Sequence, residues 1–383
     1  MAARDPLTAA RELRELIESE AELVEQKSTM TPPVVDALVD SGLFRLLVPR
    51  ALGGLEADPA TIVDVHEELS FADGSVGWSF AQNTTVMAYA AYLEPKYAGP
   101  LSRARAGAGM FAPLGIARRE SGGFRISGSY PFGSGCAHAE FMGGSAMVMQ
   151  EGEMAPFHNG LPQILAFIVP ADRVVIKENW DVMGLRGTGS FDFEVPEQHV
   201  DVGMTFSLFE NRAITGGALY GLGPVALGTI SSTAWALGVA ERALHEIAEI
   251  GKRGRTRLGS LPLREQPTFQ RDFGLHATAV NAARLLAKES YGGAVEAIER
   301  GESRELCADL IRETKSAASY VTQVSKAAVT FAYEASGSAG MRNPSRLQRC
   351  FRDIYVGAAH QVFDERNYTE MAKPRLGLEP ARF

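Results

Sequence analysis

Two residues of this sequence combine a reactive side chain with surroundings suited to work on a bound ligand. Ser134 lies between Gly133 and Gly135, where a loop can expose backbone N–H groups and one hydroxyl. His360 lies on a predicted helix, with Asp364 one turn beyond it. An imidazole whose pKa is ~6.5 can accept a proton or orient a hydroxyl at neutral pH. The alternatives are an ordinary turn serine and a solvent-facing His–Asp pair.

A second turn is also rich in glycine and hydroxyl groups. It contains Arg186, Thr188 and Ser190, and the glycines at positions 184, 187 and 189 allow a sharp turn and a close approach to a ligand. A purely structural turn between two strands is the alternative. Trp180, just upstream, either covers such a ligand or fills the core, and the core is the more common place for a tryptophan.

The composition limits the class of protein. The chain has 383 residues, with 38 Lys and Arg against 46 Asp and Glu, and a net charge of −8. Its apolar fraction of 45% is typical of a folded protein, and its acidic balance argues against binding to nucleic acid. The three cysteines are too few and too scattered for a disulfide framework, which indicates a reducing, cytoplasmic location.

Motifs for other chemistries are incomplete. Residues 213–240 carry no charged side chain but many glycines and hydroxyl groups, which indicates a buried helix of a soluble protein and not a membrane span. The pairs His66-Glu67 and His245-Glu246 do not extend to H-E-x-x-H, so we expect no metal site. The G-x-G-x-x-A match at residues 221–226 follows no predicted strand, which favours helix packing over a dinucleotide site.

Hydropathy patterning divides the chain into three parts. Helix start signals such as Asp5-Pro6 and Asp58-Pro59, followed by apolar residues at helical spacing, predict an N-terminal α-helical domain over residues 1–107. Short β-type runs between glycine-rich turns predict a small antiparallel sandwich or barrel over residues 108–208. Four long helices, the last from Leu347 to about Met371, predict a bundle over residues 209–383. The fold class is therefore α+β.

The order of these parts and four phrases resemble the acyl-CoA dehydrogenase superfamily, and in particular its two-component flavin-dependent monooxygenases. In chain order the phrases are GLFRLLVPRALGGLEAD (residues 42–58), SYPFGSGCAHAEF (129–141), WDVMGLRGTGSFDFEV (180–195) and RCFRDIYVGAAHQVFD (349–364). They stand in register over nearly the whole chain. The resemblance implies the acyl-CoA dehydrogenase-like fold, with an N-terminal helical domain, a central antiparallel β-domain and a C-terminal four-helix bundle.

The resemblance also implies which residues hold the cofactor. It places Ser134 beside the reactive central nitrogen of a flavin, where its hydroxyl would protect a flavin hydroperoxide. Other residues of the same two loops would also contact the flavin: Phe132, Gly135, Arg186, Thr188 and Ser190. Arg255, Gly259 and Gln266 fit a spacing in which the arginine reaches flavin phosphate across a subunit boundary. A solvated basic patch over residues 252–257 is the alternative.

For the substrate, the resemblance points to two segments. His360 stands roughly where true acyl-CoA dehydrogenases carry a catalytic glutamate, and it would activate or position the substrate. The predicted helix that carries Trp78, Asn83 and Met87 would line the substrate pocket, with Asn83 as its polar member. For Trp78 and Met87, packing in the core is the alternative.

The implied function is that of the oxygenase component of a two-component system. It would use reduced flavin (FMN or FAD) and O2 to hydroxylate a small apolar, aromatic substrate, with flavin delivered by a separate NAD(P)H-dependent reductase. The implied assembly is a homo-oligomer, a tetramer, with flavin between the β-domain and bundle helices of a neighbouring subunit. Two alternatives stay open: an FAD-dependent acyl-CoA dehydrogenase, which needs a carboxylate base, and a non-enzymatic relative that kept the fold for assembly.

Overall fold

The first hundred residues fold as helices whose starts follow the signals in the sequence. The computed structural model describes residues 5–150, 152–156, 162–253 and 261–381. Asp5 caps the first helix by accepting a bond from Thr8 N at 2.8 Å, and Asp58 caps the third in the same way from Thr61 N at 3.0 Å. The helices are α1 (Pro6–Lys27), α2 (Pro32–Asp40), α3 (Pro59–Ala72), α4 (Gly74–Ala88) and α5 (Pro95–Arg103).

The middle of the chain forms one mixed sheet. Its strands are β1 (Gly107–Glu120), β2 (Gly123–Gly133), β3 (Phe141–Gln150), β4 (Glu153–Met154), β5 (Ile164–Pro170), β6 (Val175–Ile176), β7 (Phe191–Asp201) and β8 (Thr205–Phe206). The described strands follow the order β6-β7-β2-β1-β3-β5-β8, and β4 pairs with β3. The prediction of a small antiparallel sandwich or barrel is wrong, because β1 and β3 pair in parallel and the described strands form one sheet whose end strands, β6 and β8, do not pair with each other.

The parallel pair has a simple cause that also positions the candidate site. β2 returns antiparallel to β1 and ends near the first residues of β1. The chain then crosses to the other side of β1 through residues 134–140, and β3 starts beside it, with Phe141 opposite Gly107. Ser134 therefore lies in a crossover loop at one end of the sheet, next to the N-terminal helices.

Long helices return after the sheet. They are α6 (Gly223–Lys252), α7 (Pro267–Glu299), α8 (Arg304–Ser336), α9 (Arg346–Gly357) and α10 (Arg366–Arg375). The predicted last helix, Leu347 to about Met371, is wrong because α9 ends at Gly357 and the chain turns before α10 begins. The division into domains at residues 107 and 208 stays a prediction; the change from helix to strand falls between Arg103 and Gly107.

The uncharged stretch in the third part is a core helix. The helical region Ala218–Lys252 is long and apolar enough to cross a membrane by those two criteria, but 89% of its most apolar window lies buried inside the protein. Trp235, at the middle of α6, is fully buried, and its indole N–H donates to Gly74 O at 2.8 Å. The predicted burial of this helix is confirmed, and it packs against the start of α4.

Candidate active site

The crossover loop after β2 holds Ser134 in an unusual backbone conformation. Phe132 has a φ of +64°, which a residue other than glycine rarely adopts, and Gly135 has a φ of +72°. A Cβ on Gly135 would lie 2.6 Å from the side-chain amide of Asn83, so this position needs glycine for space as well as for conformation. Phe132 is 54% exposed, and its ring meets Trp180 edge to face at 6.1 Å. An exposed aromatic rim therefore borders a buried serine.

The second glycine-rich turn, residues 184–190, packs against two helices. A Cβ on Gly184 would lie 2.2 Å from the backbone oxygen of Arg352 in α9, and one on Gly187 would lie 2.3 Å from the Val24 side chain in α1. From the sequence, we expected these glycines to allow a sharp turn and a close approach to a ligand. In the structure they let the turn approach helices, which holds its remaining side chains in place.

A chain of hydroxyl groups joins the two loops. Trp78 Nε1 donates to Ser134 Oγ at 3.2 Å, and Ser134 Oγ lies 2.7 Å from Ser190 Oγ. Ser190 Oγ lies 2.7 Å from Thr188 Oγ1, which donates to Leu185 O at 2.8 Å. We call Ser134, Ser190 and Thr188 the hydroxyl chain. All three residues are buried. The structure thus brings Ser134 together with Thr188 and Ser190, which the sequence placed in a different motif.

Backbone bonds keep the two loops in register. Gly135 N donates to Thr188 O at 2.9 Å, and the Ser79 hydroxyl of α4 donates to the same oxygen at 3.1 Å. Leu185, with a φ of +54°, donates its N–H to Asp353 Oδ1 at 2.6 Å. The loops therefore form one hydrogen-bonded unit that is anchored to α4 and α9.

Asp353 anchors the turn from inside a buried charge cluster that sequence reasoning missed. The pKa of Asp353 is raised to about 7, first by burial and then by the neighbouring Asp73, although the Leu185 N–H and two arginines act in the opposite direction. Arg349 pairs with Asp73 at 3.1 Å, and Arg352 pairs with Glu25 at 2.6 Å. Arg352 and Asp353 were already part of a family phrase. The sequence could not reveal the bond between Asp353 and Leu185, because the two residues are 168 positions apart.

Trp78 connects the hydroxyl chain to His360. Its ring lies edge to face with His360, with centroids 5.7 Å apart, and edge to face with Trp235 at 4.8 Å. Because its indole N–H is bonded to Ser134, one side chain touches both predicted catalytic residues. The alternative of plain core packing for Trp78 is incomplete, since the residue is buried but also bridges two polar groups.

His360 lies in a turn, not on the last helix. It caps a short helical turn, Gln361–Phe363, and its Nδ1 accepts from Val362 N at 3.3 Å. Burial lowers its pKa to about 4, so the imidazole is neutral at pH 7. The ordinary pKa expected from the sequence is wrong. The suggested Asp364 partner is wrong too, because its carboxylate binds Arg366 at 2.9 Å.

Asn83 is fully buried, and protein groups already occupy both ends of its amide. Its Oδ1 lies 2.9 Å from His138 Nε2, and its Nδ2 donates to Gly107 O at 2.8 Å. Met87 is also fully buried, within the main hydrophobic core. This placement gives both residues a structural role. The substrate contact predicted for Asn83 stays a prediction, and both ends of its amide are bonded within the protein. His138, which the sequence reasoning left unused, holds the crossover loop against α4.

The remaining predicted flavin residues are Arg186, in the turn itself, and Arg255 and Gln266, which were predicted to bind flavin phosphate. Arg186 is exposed, and its nearest acid is Glu25, at 3.8 Å. Gln266 caps the start of α7, and its amide nitrogen donates to Leu261 O at 2.8 Å. Arg255 and Gly259 lie outside the described residues. Across the ranges that the structure describes, no group of three or more His, Cys, Asp or Glu could hold a metal ion.

Two sequence families match the chain on either side of the sheet. "Acyl-CoA dehydrogenase, N-terminal domain" matches residues 7–94, and "Acyl-CoA dehydrogenase, C-terminal domain" matches residues 230–365. The chain therefore belongs to the acyl-CoA dehydrogenase superfamily, as the four phrases predicted.

The particular relatives are oxygenases. The chain is 29% identical over 358 residues to indole-3-acetate monooxygenase of Pseudomonas putida, with 91% of this chain and 87% of the relative covered. It is 28% identical over 396 residues to the flavin-dependent monooxygenase, oxygenase subunit HsaA, of Mycobacterium tuberculosis, covering 99% and 97%. The crystal structure of HsaA from M. tuberculosis has a TM-score of 0.89 at 25% identity, covering 100% and 99%. These relatives confirm the predicted class, a flavin-dependent monooxygenase, over an acyl-CoA dehydrogenase.

Proposed function

We propose that this chain is the oxygenase component of a two-component system that hydroxylates a small, mostly apolar, aromatic substrate. The observation that carries the proposal is Trp78, whose indole N–H binds Ser134 and whose ring edge meets His360. One apolar side chain thereby joins a buried hydroxyl to a neutral imidazole. A hydrophobic substrate that carries a phenol-like hydroxyl fits between groups of this kind.

The residues around Ser134 fit a flavin. The exposed ring of Phe132 and the half-buried ring of Trp180 offer aromatic contact to a flat heterocycle, while Ser134 offers one hydroxyl at its edge. When bound, reduced flavin supplies the electrons that activate dioxygen. Phe132, Ser134 and Gly135 of the crossover loop would hold it there, and Thr188 and Ser190 of the turn would support Ser134.

His360 would orient the substrate and not act as a base. Because Nδ1 accepts the Val362 N–H, the neutral ring carries its hydrogen on Nε2. Such a ring donates to a substrate oxygen from Nε2 and does not take a proton at that atom. Its pKa of about 4 keeps this state through the physiological pH range. The ring of Trp78 lies beside it, and the ring of Trp235 packs on Trp78, so that both rings would exclude water from this region.

The dehydrogenase alternative needs a carboxylate base near the substrate, and two carboxylates of this region are already bonded. Asp364 pairs with Arg366, and Asp353 accepts the Leu185 N–H from inside the protein. Neither is placed to remove a proton from an acyl chain.

We further propose a homotetramer in the cytoplasm, supplied with reduced flavin by a separate NAD(P)H-dependent reductase. α7 exposes Leu275 at 63% and Leu285 at 61%, an apolar surface suited to a neighbouring subunit. Arg255 and Gln266 would then bind flavin phosphate across the subunit boundary. Titration with both flavins distinguishes FMN from FAD as the cofactor.

Anaerobic titration with reduced and oxidised FMN and FAD tests the proposal. We expect one reduced flavin to bind tightly, and oxidised flavin to bind more weakly. A dehydrogenase would instead retain oxidised FAD through purification, and an acyl-CoA would bleach it. No binding of any of the four would leave only a non-enzymatic role.

Two glycine variants provide the matched control. Gly135 and Gly122 both have positive φ, +72° and +78°, so alanine strains the backbone similarly at each. Only the Cβ at position 135 would meet Asn83; nothing lies within 4 Å of the one at position 122. Gly135→Ala should therefore abolish flavin binding, while Gly122→Ala keeps it. Equal binding by both variants would remove the crossover loop from the flavin site.

A further inference from the structure

We propose that Thr188 and Ser190 fix the Ser134 hydroxyl as a hydrogen-bond acceptor, so that the flavin site selects reduced over oxidised cofactor. The inference rests on the proposed function, because it needs a flavin beside Ser134. It assigns Thr188 and Ser190 a positioning role that acts through Ser134, in place of direct contact with the ligand.

The direction of the hydroxyl chain follows from counting hydrogens. Thr188 Oγ1 has one hydrogen and donates it to Leu185 O, which can only accept. The 2.7 Å contact between Thr188 and Ser190 therefore needs Ser190 as donor. Ser190 has then spent its only hydrogen, so the 2.7 Å contact with Ser134 needs Ser134 as donor. All the contacts are satisfied in this one direction.

Ser134 is consequently left with acceptor capacity alone. Its hydrogen goes to Ser190, one lone pair receives the Trp78 indole N–H, and one lone pair remains. The far end of the chain is fixed as well, because Leu185 donates its N–H to Asp353 at 2.6 Å and its carbonyl also accepts from Trp180 Nε1 at 2.9 Å. Burial of all three hydroxyls keeps water from offering other partners.

An acceptor that cannot become a donor distinguishes the two flavin states. Reduced flavin carries a hydrogen on its central nitrogen, whereas oxidised flavin presents a lone pair there. The free lone pair of Ser134 can accept the N–H of reduced flavin. Toward oxidised flavin it faces another lone pair, with no hydrogen between the two atoms. Because a buried mismatch of this kind is costly, we expect the hydroxyl chain to change the affinity ratio by roughly tenfold.

The test measures anaerobic dissociation constants for reduced and oxidised flavin in paired variants. Thr188→Val keeps the shape of the buried side chain but removes its hydroxyl, so Ser190 can turn and release the Ser134 hydrogen toward the flavin. Oxidised flavin should then bind about tenfold more tightly, with little change for reduced flavin. Thr188→Ser keeps a hydroxyl and should retain the wild-type ratio.

Two further variants separate the possible outcomes. Ser190→Ala should act like Thr188→Val, and it serves if the valine variant does not fold. Ser145→Ala, which removes a buried hydroxyl with no partner among the described residues, is the control and should leave the ratio unchanged. If wild-type protein binds flavin but the ratio is the same in Thr188→Val and Ser190→Ala, the proposal is overturned and the proposed function stands. If wild-type protein binds no flavin, the proposed function fails first.

Discussion

The two polar groups that contact Trp78 are held in very different ways. Ser134 belongs to the hydroxyl chain, in which every hydroxyl hydrogen has a partner. The two loops that carry this chain are anchored to α4 and α9. His360 lies in a turn between helices, and a single bond of 3.3 Å from Val362 N orients its ring. We therefore propose that the hydroxyl chain serves one invariant cofactor, whereas the imidazole, with fewer hydrogen bonds to its ring, adjusts to a substrate.

Replacement of His360 should have the largest effect on turnover, because it removes the group that orients the substrate. We expect His360→Ala to lower turnover by roughly 100-fold, with flavin affinity changed less than about twofold. His360→Gln retains an N–H donor of similar reach and should recover a large part of that loss. Steady-state kinetics with an accepted phenol or indole would measure both. Equal losses in Ala and Gln would contradict orientation and favour a base.

The same histidine predicts the pH dependence of turnover. Burial lowers the pKa of His360 to about 4, so its neutral form predominates at every pH well above that value. The dependence of turnover on His360, taken as the ratio of wild type to His360→Ala, should stay constant between about pH 5.5 and 8. A change in this ratio centred near the ordinary histidine pKa of ~6.5 would show that the ring is not buried as described.

Asp353, which anchors the turn that carries Thr188 and Ser190, should make the free energy of unfolding depend on pH. Its native pKa is raised from 3.8 to about 7, so the native state holds the proton more tightly than the unfolded state does. Its contribution to stability is therefore complete below about pH 4 and is lost as the pH rises to about 7. Relative to Asp353→Asn, which keeps an acceptor for Leu185, the unfolding free energy of wild type should fall by on the order of 1 kcal/mol per pH unit in that window.

Urea unfolding of both proteins at several pH values measures this difference. Buried histidines such as His66 and His138 titrate in both proteins and cancel in the comparison. A difference that is independent of pH would mean that Asp353 stays ionised, and that the turn is anchored by charge instead of by a neutral acid.

Asn83 should produce the smallest effect, and one of a structural kind. Its alanine variant leaves Gly107 O and the His138 ring without their partner, at a cost of about 1–2 kcal/mol in unfolding free energy. The KM for substrate should not change. Gln82→Ala is the control. Gln82 is the residue next to Asn83 in the sequence, and among the described residues its side chain makes one long hydrogen bond, of 3.4 Å to Ser232 Oγ. A raised KM with unchanged stability would instead restore Asn83 to the substrate pocket.

The sequence was sufficient for what local signals encode. Asp5 and Asp58 do cap helices that begin at the following prolines, and the family phrases identified the superfamily. The break before His360 was missed because the predicted helix continued through Gly357, the last residue of α9, and residues 358–365 contain neither glycine nor proline. The Asp353–Leu185 and His138–Asn83 bonds join residues 168 and 55 positions apart, and no periodicity reports such pairs. Burial then decides the pKa of His360, which the residue type alone cannot.

The proposed role of the loop around Ser134, to hold reduced flavin during its reaction with oxygen, can be tested directly. The most direct test loads the protein anaerobically with one equivalent of reduced flavin, mixes it with oxygenated buffer, and follows hydrogen peroxide with and without an aromatic substrate. We expect peroxide to appear much later than from free reduced flavin. It should appear earlier in Ser134→Ala, and in lower yield when substrate is present. Peroxide release at the rate of free flavin, unaffected by Ser134→Ala, would contradict it.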